Sequence, residues 1–274
     1  MSTPLVSVVI PTRNRPQETL ECVQSVRAQD YPNIEIVVVD GNSTDNTREV
    51  VSPVADLVIK FSEIGDHRCA QRNLGVEKAK GKYVLVIDSD MTLSTSVIRE
   101  CVEKFESEEN IAGIIIPEES FGIGFWAQCK ALEKKFYQGV DWMEAARFYK
   151  KDLYISLGGY NPELTSGEDW DLSQRAGEHG QIARIQSYIS HNEGQITLWG
   201  TMKKKYYYAS KFSKYASTTK SKNIGSQTNI FQRYVIFFKK PSFIIQHPLL
   251  WTGMIVMKTG EFGAGGVGII KNYI

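Results

Sequence analysis

Continuous apolar runs alternate with longer segments of helical spacing through the first half of this chain. The runs are rich in β-branched residues, as is typical of strands covered on both faces, and they are Val6–Ile10, Ile34–Val39, Leu57–Phe61, Tyr83–Ile87 and Ile111–Ile116. The helical segments are Pro16–Ala28, Asp66–Ala79, Ser94–Phe105, Gly124–Gln138 and Glu168–Glu178. This succession predicts an α/β fold with a mostly parallel sheet flanked by helices.

The pattern changes after His191, where lysines are interleaved with aromatic residues. Thr197–Tyr215 keeps a helical spacing, a polar linker follows at Ser217–Thr228, and the last region is apolar and basic with a Gly-rich segment at Gly260–Gly268. We predict two parts, a domain over residues 1–195 and a basic, aromatic, helical extension over residues 196–274.

Charge is distributed unevenly, although the formal net charge is only +1. Residues 194–260 contain no Asp or Glu but eleven Lys and Arg, so the preceding part of the chain is acidic. Such a stretch can be a solvated helix face, a nucleic-acid surface or a membrane surface. Each Lys or Arg near an anionic leaflet contributes about 1 kcal/mol, and aromatic residues suit the interface, so we favour peripheral contact with an anionic membrane. No recognised motif supports nucleic acid as a partner.

The cysteines and apolar segments indicate the cellular location. The four cysteines show neither the close pairing of a zinc site nor the density of a disulfide scaffold. The first residues lack the pattern of a secretory signal peptide. The apolar stretch Phe243–Met257 contains polar residues and a proline, and it is shorter than the roughly 20 residues of a spanning helix. We expect a cytoplasmic protein at the cytoplasmic face of the membrane.

Asp88-Ser89-Asp90 directly follows the predicted strand Tyr83–Ile87. Open α/β sheets bind ligands beyond the carboxyl ends of their strands. Two aspartates in this spacing can share a divalent cation, which in turn can hold a diphosphate. The motif therefore predicts a nucleotide-diphosphate site, whereas an isolated Asp-x-Asp is more often a solvated turn that caps the next helix.

Two further strand ends carry polar residues at the same predicted edge. Pro11-Thr12-Arg13 follows the first strand, and Asp40 with Ser43 and Thr44 follows the second. Such loops supply directional hydrogen-bonding groups for a base and a ribose. The segment 40–47 also suits an Asx turn or a helix N-cap, and the two interpretations are compatible.

An ordered series of motifs spans about Val6 to Glu193. The series is Val8-Val9-Ile10-Pro11-Thr12-Arg13-Asn14, Val38-Val39-Asp40 with Ser43-Thr44-Asp45, Arg72-Asn73-x-Gly75, Gly81-x-Tyr83, Asp88-x-Asp90, Leu157-Gly158-Gly159-Tyr160 and Glu168-Asp169. It resembles the family 2 glycosyltransferases. The resemblance implies a GT-A type, Rossmann-like sheet.

The resemblance also implies a nucleotide-sugar site formed by Pro11, Thr12, Arg13, Asp40, Arg72, Asp88, Ser89 and Asp90. Within it, Thr12 and Asp40 hold the base, Arg72 lies near the donor, and Asp88 and Asp90 hold the ribose and the metal-bound diphosphate. Gly41 departs from the acidic residue that is commoner after Asp40. Arg72 has an alternative role in an ion pair on a helix surface.

Glu168-Asp169 opens a predicted helix, where acidic residues also favour the macrodipole. The resemblance implies that Asp169 takes the proton of an acceptor hydroxyl and that Glu168 helps to position the acceptor. His191 follows later, and in some relatives a histidine at this point completes the metal shell. We therefore expect Mn²⁺ or Mg²⁺ on Asp90 and Asp88 with His191, although a lone histidine is more often structural.

The predicted function is an inverting, metal-dependent glycosyltransferase that uses a nucleotide-diphosphate sugar, preferably a UDP-sugar. The basic, aromatic extension favours a glycan or polyprenyl-phosphate-linked acceptor. A sugar-phosphate nucleotidyltransferase is an alternative, but its usual Gly-rich phosphate loop is absent from Pro11-Thr12-Arg13-Asn14. A non-catalytic, membrane-associated module that binds sugar nucleotides or glycans is a second alternative.

Overall fold

The computed structural model describes residues 3–62, 68–218, 225 and 229–270, with only the backbone for residues 212–218. The described residues form two compact units. The first comprises Met1–Pro117, Ala145–Pro162 and Glu168–Ser190, and the second comprises Glu118–Glu144, Glu163–Gly167 and His191–Ile274. The predicted linker Ser217–Thr228 lies almost entirely outside the described residues, and the domain boundary at residue 195 stays a prediction.

The elements follow the predicted succession in the first half of the chain. The strands are β1 Val6–Thr12, β2 Ile34–Asp40, β3 Leu57–Lys60, β4 Tyr83–Val86, β5 Met91–Leu93, β6 Ile111–Ile115, β7 Glu118–Ile123, β8 Phe148–Lys150, β9 Gln181–Arg184 and β10 Ile189–Gln195. The helices are α1 Pro16–Arg27, α2 Thr47–Val51, α3 Arg68–Lys78, α4 Val97–Ser107, α5 Phe125–Tyr137, α6 Lys151–Ser156, α7 Glu168–Gly177, α8 Leu198–Thr218, α9 Ile230–Ile236, α10 Pro241–Gln246 and α11 Pro248–Ile270. The predicted strands and helices are confirmed, and residues 66–67 of one predicted helix lie outside the described residues.

Seven of the described strands form the sheet of the first unit, in the order β3-β2-β1-β4-β8-β6-β9. The four strands β1, β2, β3 and β4 are parallel to one another. β8 is antiparallel to both of its neighbours, and β6 pairs in parallel with β9. The mostly parallel α/β fold is therefore confirmed. Thr12 pairs with Asp40 at the ends of β1 and β2, which brings these two strand ends to one edge.

Both faces of this sheet are buried, which explains the continuous apolar runs. Val8 and Ile10 of β1 pack into the core on one face, and Val9 packs into the core on the other. Gly75 allows α3 to approach the second face, because a Cβ there would overlap Val9 Cγ1 and lie 3.0 Å from Val39 Cγ2. This close approach positions the α3 residues that precede Gly75 above the carboxyl end of the sheet.

The second unit is mainly helical, and β7 and β10 are neighbouring strands in it. Its core contains Cys129, Phe136, Phe237 and Met254. The Gly-rich segment is helical as part of α11, and a Cβ at Gly268 would lie 2.5 Å from the Tyr206 carbonyl oxygen of α8. None of the helices in the described part of the chain has both the length and the apolar character required to span a membrane.

Candidate active site

Arg72 of α3 lies at the centre of the candidate site in the first unit. Its side chain is only 1% exposed. Nη2 donates to Asp88 Oδ1 at 2.6 Å, and Nη1 lies 3.3 Å from Asp169 Oδ1 and 3.4 Å from Glu168 Oε1. Its guanidinium also stacks over the Tyr160 ring, with Cζ 4.9 Å from the ring centroid. The alternative of an ion pair on a helix surface is therefore wrong, because this arginine is buried.

The arginine joins carboxylates that are far apart in sequence. Burial raises the pKa of the Asp88 carboxyl, but the charges of Arg72 and Arg147 outweigh this and hold that pKa well below its ordinary value. Burial, and then the neighbouring Asp169 carboxylate, raise the pKa of Glu168 to about 7 against the effect of Arg72. Glu168 can therefore gain or lose a proton near neutral pH, while Asp88 stays ionised.

Asn73 holds the Gly158-Gly159-Tyr160 turn against α3. Its Oδ1 accepts hydrogen bonds from the Tyr160 amide at 2.9 Å and the Tyr154 hydroxyl at 2.7 Å, and its Nδ2 donates to the Tyr160 carbonyl at 2.7 Å. Gly159 has a φ of 66°, and a Cβ there would overlap Asn73 Oδ1. These contacts explain why the two sequence motifs occur together, and they place the Tyr160 ring beneath Arg72.

Asp90 forms an ion pair with Arg15, a residue that the sequence did not single out. The side chain of Arg15 is 46% exposed and that of Asp90 is 22% exposed. An exposed ion pair of this kind is weak, so a divalent cation can replace the guanidinium at the Asp90 carboxylate. Asp90 therefore fits the role of a metal ligand better than Asp88, which is held by buried arginine.

Asp40 and Thr12 are buried at the neighbouring strand ends. Asp40 accepts hydrogen bonds from the amide and hydroxyl of Ser43, and Arg48 Nε lies 3.3 Å from its Oδ2. The Asx turn that the sequence allowed in segment 40–47 is made by Asp45, whose Oδ1 accepts a hydrogen bond from the Thr47 amide at 3.0 Å. A Cβ at Gly41 would lie 2.5 Å from Gln71 Nε2. The amide end of Gln71 therefore occupies the space that a side chain at position 41 would enter.

His191 lies in the second unit with two carboxylates that the sequence analysis missed. Its Nδ1 is 2.8 Å from Glu118 Oε1 and 3.8 Å from Glu193 Oε1. One ligand atom from each of the three residues lies within 4.8 Å of the others, and this mixed imidazole and carboxylate set suits a divalent transition metal. Lys134 also pairs with Glu118 at 3.0 Å. A metal site shared by His191 and the aspartates of the first unit stays a prediction.

Comparison with known proteins identifies the family. The family model described as glycosyl transferase family 2 matches residues 7–159, more than half of the chain. The chain belongs to glycosyl transferase family 2. This confirms the resemblance drawn from the motif series, and the matched residues include the Arg72 and Asp88 contacts but end before Glu168.

Two curated relatives show how far the sequence similarity extends. The glycosyltransferase GlyG of Streptococcus pneumoniae is 30% identical over 109 residues, which cover 38% of this chain and 36% of that protein. A PGL/p-HBAD biosynthesis glycosyltransferase of Mycobacterium bovis is 25% identical over 205 residues, which cover 70% of this chain and 78% of that protein. The first three curated relatives are matched over less than two fifths of their own length.

Solved structures of GT-A glycosyltransferases share the fold of this chain. The mannosyltransferase PcManGT from Pyrobaculum calidifontis, in complex with GDP-Man and Mn²⁺, has a TM-score of 0.63 at 16% identity, over 98% of this chain and 88% of that one. TarS 1-349 of S. aureus in complex with UDP-GlcNAc has a TM-score of 0.56 at 15% identity, over 98% of this chain and 91% of that one. At this identity the likeness shows the fold, and it confirms the predicted GT-A type.

Proposed function

We propose that this family 2 protein is an inverting glycosyltransferase that moves a sugar from a nucleotide-diphosphate sugar, preferably a UDP-sugar, to an acceptor hydroxyl. The observation that carries the proposal is the contact of Arg72 with both Asp88 and Asp169. Asp88 is the expected donor-side residue, and Asp169 is the expected base. One buried guanidinium thus joins the expected donor side of the site to the expected base.

The residues of the first unit have distinct roles in this reaction. Asp169 takes the proton of the acceptor hydroxyl while that oxygen attacks the anomeric carbon and the bond to the diphosphate breaks on the opposite face. The sugar is therefore inverted. Glu168 orients the acceptor by a hydrogen bond, and Asp88 binds the ribose hydroxyls. Pro11, Thr12, Arg13, Asp40 and Ser89 line the nucleotide side of the site.

A divalent cation, Mn²⁺ or Mg²⁺, fits the Asp90 carboxylate, whose ion pair with Arg15 is partly exposed to solvent. Asp88 and His191 are the further ligands that we propose for it. When bound, it supplies positive charge that stabilises the departing diphosphate. The structural neighbour PcManGT was solved in complex with GDP-Man and Mn²⁺, which supports the same class of cofactor here.

The acceptor that we propose is a glycan or polyprenyl-phosphate-linked glycan at the cytoplasmic face of an anionic membrane. Support comes from the exposed apolar and aromatic side chains in the basic second unit, among them Trp199, Phe231 and Leu249. Lys203 lies over the Trp199 ring at 5.6 Å, a pairing that suits a membrane interface. Binding to anionic but not neutral liposomes at low salt tests this part of the proposal.

Calorimetric titration with UDP, GDP and CDP, with and without Mn²⁺, tests the donor. We expect Mn²⁺-dependent binding of UDP that Asp90→Ala weakens at least tenfold, while the control Glu77→Ala, at an exposed position of α3, leaves it unchanged. Asp169→Asn should keep the binding but reduce release of UDP from a UDP-sugar by roughly 10²-fold or more. Full turnover in Asp169→Asn would refute the base, and binding without any release in the wild type would favour the non-catalytic module.

A further inference from the structure

The helices of the second unit bury a cluster of charged side chains. Lys258 and Glu261 of α11, Glu133 of α5 and Arg233 of α9 are each less than 8% exposed. Four charged residues at this depth are unusual, because each ion loses its hydration and must be compensated by neighbours. The partners of each charge therefore decide what the cluster does.

Two lysines and two glutamates compensate one another. Lys258 Nζ lies 2.7 Å from Glu133 Oε1 and 2.6 Å from Glu261 Oε2. Lys130 Nζ lies 3.0 Å from Glu133 Oε2 and 3.6 Å from Glu261 Oε1. Each carboxylate thus contacts both ammonium groups, and these four side chains form a closed and neutral ring.

Arg233 and Lys205 are two further cations in this unit. Both carboxylates of the ring are already paired with its own lysines. The two further cations come from α9 and α8, and residues 194–260 contain no Asp or Glu that could pair with them. Among the described residues, Arg233 has no ion pair, its Nε has no hydrogen-bond acceptor, and its Cζ lies 5.9 Å from the centroid of the Phe262 ring. The buried Nε of Arg233 is therefore left without a hydrogen-bond partner among the described residues.

Lys205 responds to the same excess of positive charge. Burial, and then the charges of Arg233 and Lys258, lower the pKa of Lys205 to about 7, although Glu261 acts in the opposite direction. Its methylene groups lie against α11, because a Cβ at Gly265 would be 3.6 Å from Lys205 Cγ. The Lys205 side chain is partly exposed, so it can be reached from solvent.

We propose that Arg233 and Lys205 form a binding site for a phosphoryl group. A planar guanidinium offers paired N–H donors to two oxygens of a phosphate. Arg233 lies against Phe262 and Lys205 against Gly265, one turn apart on α11, so the ammonium group can add a third donor. A dianionic phosphoryl group would match the two positive charges. The inference does not rest on the proposed sugar transfer, because it concerns the second unit and a different set of residues.

Calorimetric titration of the full chain with inorganic phosphate and with pyrophosphate at pH 8 tests the site. The wild type is compared with Arg233→Gln, Lys205→Met and the exposed control Lys204→Met. We expect both site variants to weaken binding at least tenfold and the control to change it less than twofold. Binding should also take up protons, measured as a dependence of the heat on the buffer, because the anion raises the pKa of Lys205. Lys205→Met should abolish that uptake.

A second measurement keeps the test decisive if Arg233→Gln perturbs the fold. Phosphate should raise the melting temperature of the wild type, and without phosphate Arg233→Gln should melt at or above the wild-type temperature. Lys205→Met should lose the phosphate-dependent rise. Absence of phosphate binding, or equal binding in both site variants and the wild type, would overturn the proposal.

Vesicles distinguish the source of the phosphoryl group. Phosphatidic acid presents a phosphomonoester, and phosphatidylserine vesicles of equal surface charge present none. Preferential binding to phosphatidic acid that Arg233→Gln removes would identify a lipid headgroup, whereas phosphate binding without this preference would identify a soluble phosphate. UDP binding in the presence of Mn²⁺ should be unchanged in both site variants, so failure of this inference and failure of the proposed transferase can be told apart.

Discussion

Two buried arginines, one in each unit, are compensated in opposite ways. Arg72 is 1% exposed and touches Asp88, Glu168 and Asp169. Arg233 is 7% exposed and, among the described residues, has no carboxylate partner. A buried cation that contacts several carboxylates holds a site together, whereas one without them is positioned for an anion that comes from outside. Burial of an arginine therefore does not by itself reveal its role.

The largest expected effect comes from removing the two guanidinium groups separately. Arg72→Gln should lower the free energy of unfolding by about 3–5 kcal/mol, because it leaves buried carboxylates without their counter-charge. Arg233→Gln should not lower it, because no ion pair is lost. Urea unfolding of both variants measures the difference. Equal losses in the two variants would contradict the comparison between the units.

The pH dependence of stability sharpens the description of the Arg72 cluster. Glu168 has its pKa raised from 4.5 to about 7 in the folded state, so folding favours its protonated form. The free-energy cost of ionising Glu168 in the folded state is absent below pH 4.5, grows as the pH rises to 7 and is complete above pH 7. The free energy of unfolding of Glu168→Gln should therefore be about 2–3 kcal/mol higher than that of the wild type at pH 8 and little higher at pH 4.5.

Chemical unfolding at pH 5 and pH 8 measures this gain, with Glu178→Gln as the control on the exposed end of the same segment. Glu178→Gln should change the free energy of unfolding by the same amount at the two pH values. A Glu168→Gln variant whose gain is the same at both would mean that the carboxyl does not titrate in this window.

Glycines distinguish the tight packing of the first unit from an open position in the second. Gly75→Ala should cost about 1–3 kcal/mol, because its Cβ would overlap Val9 in the core of the sheet. Gly263→Ala in α11 meets no atom within 4 Å and should instead stabilise the protein by about 0.5–1 kcal/mol. Thermal unfolding measures both shifts, and a loss of stability in Gly263→Ala would show that this position is packed.

Most of the sheet could be predicted because its strands are covered on both faces and therefore read as unbroken apolar runs. The three-residue strands β5 and β8 could not, because such short segments contain too few positions to show a pattern. Asp88 and Asp90 were predicted from their spacing after a strand, and Asp169 was predicted from the family resemblance. Arg15 and Arg147 were not, because their contacts with the aspartates join residues far apart along the chain.

Local patterns along the chain were enough to predict the alternation of strands and helices in its first half, the family motifs and the acid-free stretch of residues 194–260. These features depend on local spacing and composition, which can be read along one dimension. Which cations are neutralised depends on the folded arrangement instead: Arg72 meets Glu168 from 96 positions away, while Arg233 lies buried beside a ring of charges that is already neutral. Electrostatic energy depends on distance and burial, and both are set by how the elements pack.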